Sequence, residues 1–229
     1  VILALSSSYQ DITIDARALD VSLTTHCQAR CRSCDRTNSE TGERNTWLPL
    51  QHMELSDVKT LIDNSSGIHM LRFAGEYGDP LMYPHLTEVL EYCFENGVDH
   101  VMLNTNGGLM KPEWWTKVGN RYGSKFSCMF GIDGTDHETN WKYREGVNFD
   151  RAWANMLALS QTSARTIWQF IVFEHNWHQV KTAIELSKTI NLERMFFILN
   201  CSPHSPLTND HRNQVRELIQ KEGYPYDEP

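Results

Sequence analysis

Long apolar runs are missing from this chain: none approaches the ~20 consecutive residues needed to cross a bilayer, so no membrane span is expected. The opening residues carry no signal-peptide pattern, and a cytoplasmic location is the matching expectation. Lys and Arg are fewer than Asp and Glu, 21 against 29, for a formal net charge of −8. That balance counts against nucleic acid, or any partner held mainly through phosphates, because such sites need clustered positive charge. A local basic pocket remains compatible with it. A disulfide framework is lacking too. Of the six cysteines, three crowd into eight residues while Cys93, Cys128 and Cys201 are scattered, which suits a reducing compartment. Cys93 and Cys128 read as small buried hydrophobes.

What the chain does contain is a regular alternation of β-rich and helically spaced segments. At 229 residues and 40% apolar composition it can form one substantial core, burying roughly 70–75% of its unfolded surface. Strand-like stretches start near Ala18, Ile68, Val98, Lys125, Thr166 and Arg194. Between them run helical stripes: Val58, Leu61 and Ile62; Val89, Leu90 and Cys93; a helix opened by Pro112; Trp153, Met156 and Leu157; Val180, Ala183 and Ile184; and Val215, Leu218 and Ile219. Ser56 is a candidate helix cap, Pro84 a candidate first helical residue, and Asn176 with Gln179 resembles a capping box. Strict alternation implies a parallel sheet with right-handed crossovers. Six units are too few for the usual eight-stranded barrel, so the expected fold is α/β, an open partial (β/α)6 barrel of parallel strands. Residues 1–17 are read as a lead-in, 18–222 as the barrel and 223–229 as a polar tail.

Ligands gather at the C-terminal ends of such strands. The unusual residues lie there: the cysteines, Gly75 to Pro80, Asn104 to Gly107, Asp133-Gly134 and Asn200-Cys201. Cys27, Cys31 and Cys34, spaced C-x3-C-x2-C, fit on one tight loop after the first strand and can converge on one inorganic centre. Zinc would need a fourth ligand, which His26 could supply, but structural zinc sites usually pair two separated knuckles and a second knuckle is absent. A cubane held by three thiolates leaves one iron open for chemistry, and this is the reading adopted.

That motif, at the head of an alternating α/β chain, resembles the radical S-adenosylmethionine (radical SAM) superfamily over about residues 18–200. The resemblance implies a [4Fe-4S] cluster on Cys27, Cys31 and Cys34, whose open iron chelates the amino and carboxylate groups of S-adenosylmethionine. One-electron reduction then gives methionine and a 5′-deoxyadenosyl radical that takes hydrogen from a substrate. It also implies an electron donor such as a flavodoxin or ferredoxin. Gly75-Glu76-Tyr77-Gly78-Asp79 looks like the family's glycine-rich turn, where glycine lets backbone carbonyls approach the ligand's ammonium and an acid favours its charge. The turn carries one extra residue here, so either Glu76 or Asp79 could face the ligand. Thr105-Asn106-Gly107 resembles the Thr-Asn-Gly after the third strand. Asn104 and Asn200 are carried along as strand-end neighbours.

Asp133-Gly134 with Arg144 resembles a segment of the peptide-modifying branch, an arginine fork suiting the ligand carboxylate. Ser33 stands where an aromatic residue is usual. Arg30, Arg32 and Arg36 crowd the thiolates, at least one of them expected to be structural or solvent-facing. His137, His175 and His178 are expected at the surface, and Trp114 and Trp115 in packing. The substrate implied is a peptide, with a nucleobase or small metabolite as the alternative. A zinc-stabilised binding module is the non-catalytic one. Cys201 is a spare thiol near the proposed site, either structural or a hydrogen donor.

Overall fold

The computed structural model describes residues 18–65, 68–200 and 206–228; the 1–17 lead-in and Cys201 lie outside them. The elements are β1 (Ala18–Val21), α1 (Leu55–Asp63), β2 (Met70–Phe73), α2 (Leu86–Glu95), β3 (His100–Thr105), α3 (Pro112–Tyr122), β4 (Phe126–Gly131), α4 (His137–Tyr143), α5 (Phe149–Ser160), β5 (Arg165–Val172), α6 (Val180–Ser187), β6 (Arg194–Leu199), α7 (Asn209–Lys221) and β7 (Tyr226–Asp227). The seven strands of the described residues pair in parallel, in chain order from β1 to β7. The two end strands do not pair with each other, so the barrel is open, as expected.

Strand order that never reverses has one consequence. Crossovers of one hand, repeated in one direction, put every helix on the same face of the sheet. Burial along the strands follows: in β3, Val101, Leu103 and Thr105 are buried while His100, Met102 and Asn104 are half-buried. In β6, Met195, Phe197 and Leu199 are buried and Phe196 and Ile198 are not. The covered face meets the apolar helix stripes. Trp115 of α3 packs on Phe130 of β4 with ring centroids 4.9 Å apart, and Trp153 of α5 on Trp168 of β5 at 5.2 Å. Cys93 and Cys128 are fully buried in this layer, and Trp114 packs against it.

Several local expectations are corrected. Within the stretch read as a polar tail, Tyr226–Asp227 form β7, Tyr226 aligning with Phe197 and Arg216 holding Glu228 beside it (2.7 Å). A short helix, α4, follows Asp133-Gly134; Asp136 caps it by accepting from Thr139 N (2.7 Å), a signal too brief for periodicity to show. Glu54 rather than Ser56 caps α1, and Pro84 lies in the turn before α2, whose cap is His85. Asn176 forms no capping box. Its amide instead donates to Asp133 O (2.8 Å) and Ile171 O (2.9 Å) and accepts from Phe173 N (2.7 Å), tying the ends of β4 and β5.

Leu103→Ala, on the helix-covered face, is expected to destabilise the protein by about 2–5 kcal/mol in urea denaturation. Met102→Ala, one residue away on the bare face, should cost well under half as much; equal losses would contradict this assignment of faces.

Candidate active site

After β1 the chain runs as a long loop to α1. Antiparallel bridges join Thr24 to His52 and Thr37 to Arg44 across it. Arg36 is buried and staples the cysteine segment from within: Nε donates to Thr25 O (3.1 Å) and Nη1 to Ala29 O (3.4 Å). Arg30 is exposed and paired with Glu145 (2.5 Å), while Arg32 donates to Ser39 O (3.3 Å). Two of the three arginines expected to crowd the thiolates are therefore turned to other partners, and the third is structural. Cys27, Cys31 and Cys34 all line one cavity of about 340 Å³ at the C-terminal ends of the strands. The ring of His26 stacks on His52 at 4.3 Å and is not part of that lining. Among the described residues, no three His, Cys, Asp or Glu side chains gather to hold a single ion.

The turn after β2 forms the next wall. Gly78 is required by contact, since a Cβ there would stand 2.1 Å from Thr24 O. Asp79 is buried and fully engaged: it accepts from Leu81 N (3.0 Å), Thr105 Oγ1 (2.8 Å) and Asn106 N (3.0 Å). Glu76, by contrast, is exposed on the cavity wall beside Gly75. Of the two acids left open by the sequence, Glu76 has the uncommitted carboxylate.

Asn106 joins this turn to the cysteines. Its amide donates toward Cys27 Sγ (3.7 Å) and accepts from Gln28 Nε2 (2.7 Å) and Gly108 N (2.9 Å). Asn104 also lines the cavity, and its buried Oδ1 has no hydrogen-bond partner among the described residues. From β4, Asp133 reaches Arg144 beyond α4: Nε of Arg144 donates to Asp133 Oδ2 (2.6 Å), and Nη1 points to Cys31 Sγ (3.9 Å). Gly131 makes room for the guanidinium, as a Cβ there would lie 2.6 Å from Nη2.

The family model for the Radical SAM superfamily matches residues 21–187. The chain belongs to the radical SAM superfamily. Solved structures with the same fold include Streptococcus suis SuiB bound to S-adenosylmethionine (TM-score 0.66, 14% identity, covering 96% of this chain and 49% of that one). Others are anSMEcpe with bound AdoMet (0.63, 14%, 91% and 63%) and methylornithine synthase, PylB (0.60, 15%, 91% and 63%). The chain spans about half to two thirds of the length of these proteins. No curated protein sequence matches it. The superfamily uses a [4Fe-4S] cluster with S-adenosylmethionine and is served by a reductant. Among the described residues no helix is long and apolar enough to cross a membrane.

Within this radical SAM barrel, the cavity brings together Cys27, Cys31, Cys34, Gly75, Glu76, Gly78, Asp79, Asn104, Asn106 and Arg144. Ser33, Tyr77, Asp133 and Asn200 are not on its lining. Asp133 is fully buried behind Arg144, and Tyr77 meets Trp47 edge-on at 6.0 Å. Burial dominates the protonation of these groups. It pushes the Cys27 thiol up to about 12, with Asp79 adding to the effect. Burial also raises Cys31, against the pull of Arg144. For Arg144 burial works against the charge, but Asp133 and Cys31 outweigh it and hold the guanidinium protonated. Residues the sequence reading missed are Gln28, Gly131, Tyr143 and Gln169, all on or beside this wall. Gly131, two residues before Asp133, left no signal because a glycine that accommodates a distant side chain looks like any strand glycine.

Asp133→Ala leaves a buried guanidinium unpaired and should cost about 3–5 kcal/mol in chemical denaturation. Adding Arg144→Met to that variant should recover most of the loss; no recovery would contradict the pairing as the cause.

Proposed function

We propose that Cys27, Cys31 and Cys34 hold a [4Fe-4S] cluster and that the chain cleaves S-adenosylmethionine reductively to modify a peptide. The observation that carries this is three thiols on one cavity to which, among the described residues, no histidine contributes. A cubane takes each thiolate at a separate iron, whereas zinc needs all its ligands around one point. The stacking of the His26 ring on His52, away from the cavity lining, supports the cubane over a zinc site that would use His26. When bound, the reduced cluster supplies the electron that splits the cosubstrate's carbon–sulfur bond, yielding methionine and a 5′-deoxyadenosyl radical able to take hydrogen from substrate.

The chain's own residues bind and orient. Arg144 spends Nε on Asp133 and lines the cavity, where its guanidinium can grip the carboxylate of the cosubstrate. Glu76 and the backbone of Gly75 face the same space and suit its ammonium. Asn106 and Arg144 aim N–H groups at Cys27 and Cys31; hydrogen bonds to ligating sulfurs raise a cluster's potential and ease its reduction. A flavodoxin or ferredoxin in a reducing compartment fits as electron source. Asn200, Ser33 and Tyr77 are assigned to the surround of the site rather than its wall. The peptide as substrate is supported by the fold shared with anSMEcpe, one structure of which holds AdoMet and a Kp18Cys peptide.

Anaerobically prepared protein should be brown, with broad absorbance near ~400 nm and about four irons per chain. With dithionite and S-adenosylmethionine it should release 5′-deoxyadenosine, and Cys31→Ala should abolish that release. Undiminished release from the variant would overturn the proposal, as would a colourless protein carrying one zinc.

A further inference from the structure

We infer that Arg30 and Glu145 form a latch on the cysteine segment that governs how firmly the cluster is kept, a role that rests on the reading above and adds two positioning residues to it. The ends of the segment are tied from within. Arg36 donates to Thr25 O and Ala29 O, and Cys34 N donates to Cys31 O (3.1 Å). Its middle is tied outward. Arg30 N donates to Glu145 O (2.8 Å), and the Arg30 guanidinium pairs with the Glu145 carboxylate (2.5 Å). Backbone and side chain of one residue thus meet backbone and side chain of another, 115 positions away in sequence.

The residues on either side of Glu145 are shaped for the same contact. Gly146 has φ +92°, and a Cβ there would stand 2.5 Å from Gln28 O, so this position must be bare for the cysteine segment to lie on it. On the other side, Arg144 points Nη1 to Cys31 Sγ (3.9 Å). Three consecutive residues, Arg144, Glu145 and Gly146, therefore meet Cys31, Arg30 and Gln28 in reverse order. Losing a cubane means freeing a thiolate from its iron, and Cys31 is carried by the stretch that this seam holds. The charged part of the seam is open to solvent, with 57% of the Arg30 side chain and 27% of the Glu145 side chain exposed, so salt screens it. The close approach at Gly146 is steric and does not respond to salt.

The test reads the rate at which cluster-loaded protein loses iron to an excess of chelator, followed by bleaching near ~400 nm at low and high ionic strength. At low salt, Glu145→Gln should speed the loss about threefold, in keeping with a partly exposed ion pair. High salt should bring the wild-type rate toward that of the variant. Exchanging the charges, Arg30→Glu with Glu145→Arg, should restore most of the wild-type rate, whereas Arg30→Glu alone should lose iron faster than Glu145→Gln. Gly146→Ala should speed the loss at either ionic strength. As a control, Glu91→Gln breaks the exposed Arg121–Glu91 pair between α2 and α3, off the cavity lining, and should leave the rate as it is. A rate unmoved by Glu145→Gln, a wild-type rate indifferent to salt, no recovery on exchange, or equal acceleration in the Glu91 variant would overturn the inference. If wild-type protein takes up no iron–sulfur cluster, the parent reading fails, and this one with it.

Discussion

Strands laid down in chain order, each joined to the next by a crossover of the same hand, can be covered by helices on one face only. The whole molecule follows from that constraint. The helix side is closed by large side chains such as Trp115, Trp168, Phe130 and Phe197, all fully buried. The other side keeps half-exposed residues, Asn104, Met129 and Gln169 among them, and these become the wall of the cavity. Backbone groups at the strand ends need partners that the sheet no longer supplies. The site's asparagines answer that need: Asn176 ties the ends of β4 and β5, and Asn106 ties the end of β3 to the cysteine loop.

Burial pushes the Asp79 and Asp133 carboxyls up, while their partners pull the other way. Asp79 is held by two backbone N–H groups and a hydroxyl, Asp133 by Arg144 and Ile171 N (2.6 Å). Burial drives the thiols the same way. With Cys27 pushed up to about 12 and Cys31 raised by the same burial, both enter as protonated groups. Metal binding must displace those protons, so loading and proton release are coupled. Arg144, firmly charged and aimed at Cys31, is placed to stabilise the thiolate that results.

Fold class was legible because it rests on long patterns. The six main strands and the stripes on α1, α2 and α5 are periodic over enough residues to be read without a structure. β7 and α4 were not, being two and seven residues long and decided by a register and a cap. In the site, the cysteines and the turn after β2 announced themselves by spacing and by glycine. The division of labour within that turn did not: Glu76 and Asp79 are both acids in a glycine-rich loop, and only the contacts to Thr105 and Asn106 show which one is engaged. Gln169 was equally silent, because a single polar residue in an apolar strand is placed on the cavity wall only once its face is known.

The central claim is that the protein supplies three thiolates and leaves one iron for the cosubstrate. Mössbauer spectroscopy of the iron-57 cluster, before and after S-adenosylmethionine is added, tests it most directly. One iron of the cubane should change its isomer shift and quadrupole splitting on addition while the others stay as they were. A spectrum unchanged by saturating S-adenosylmethionine would contradict the account.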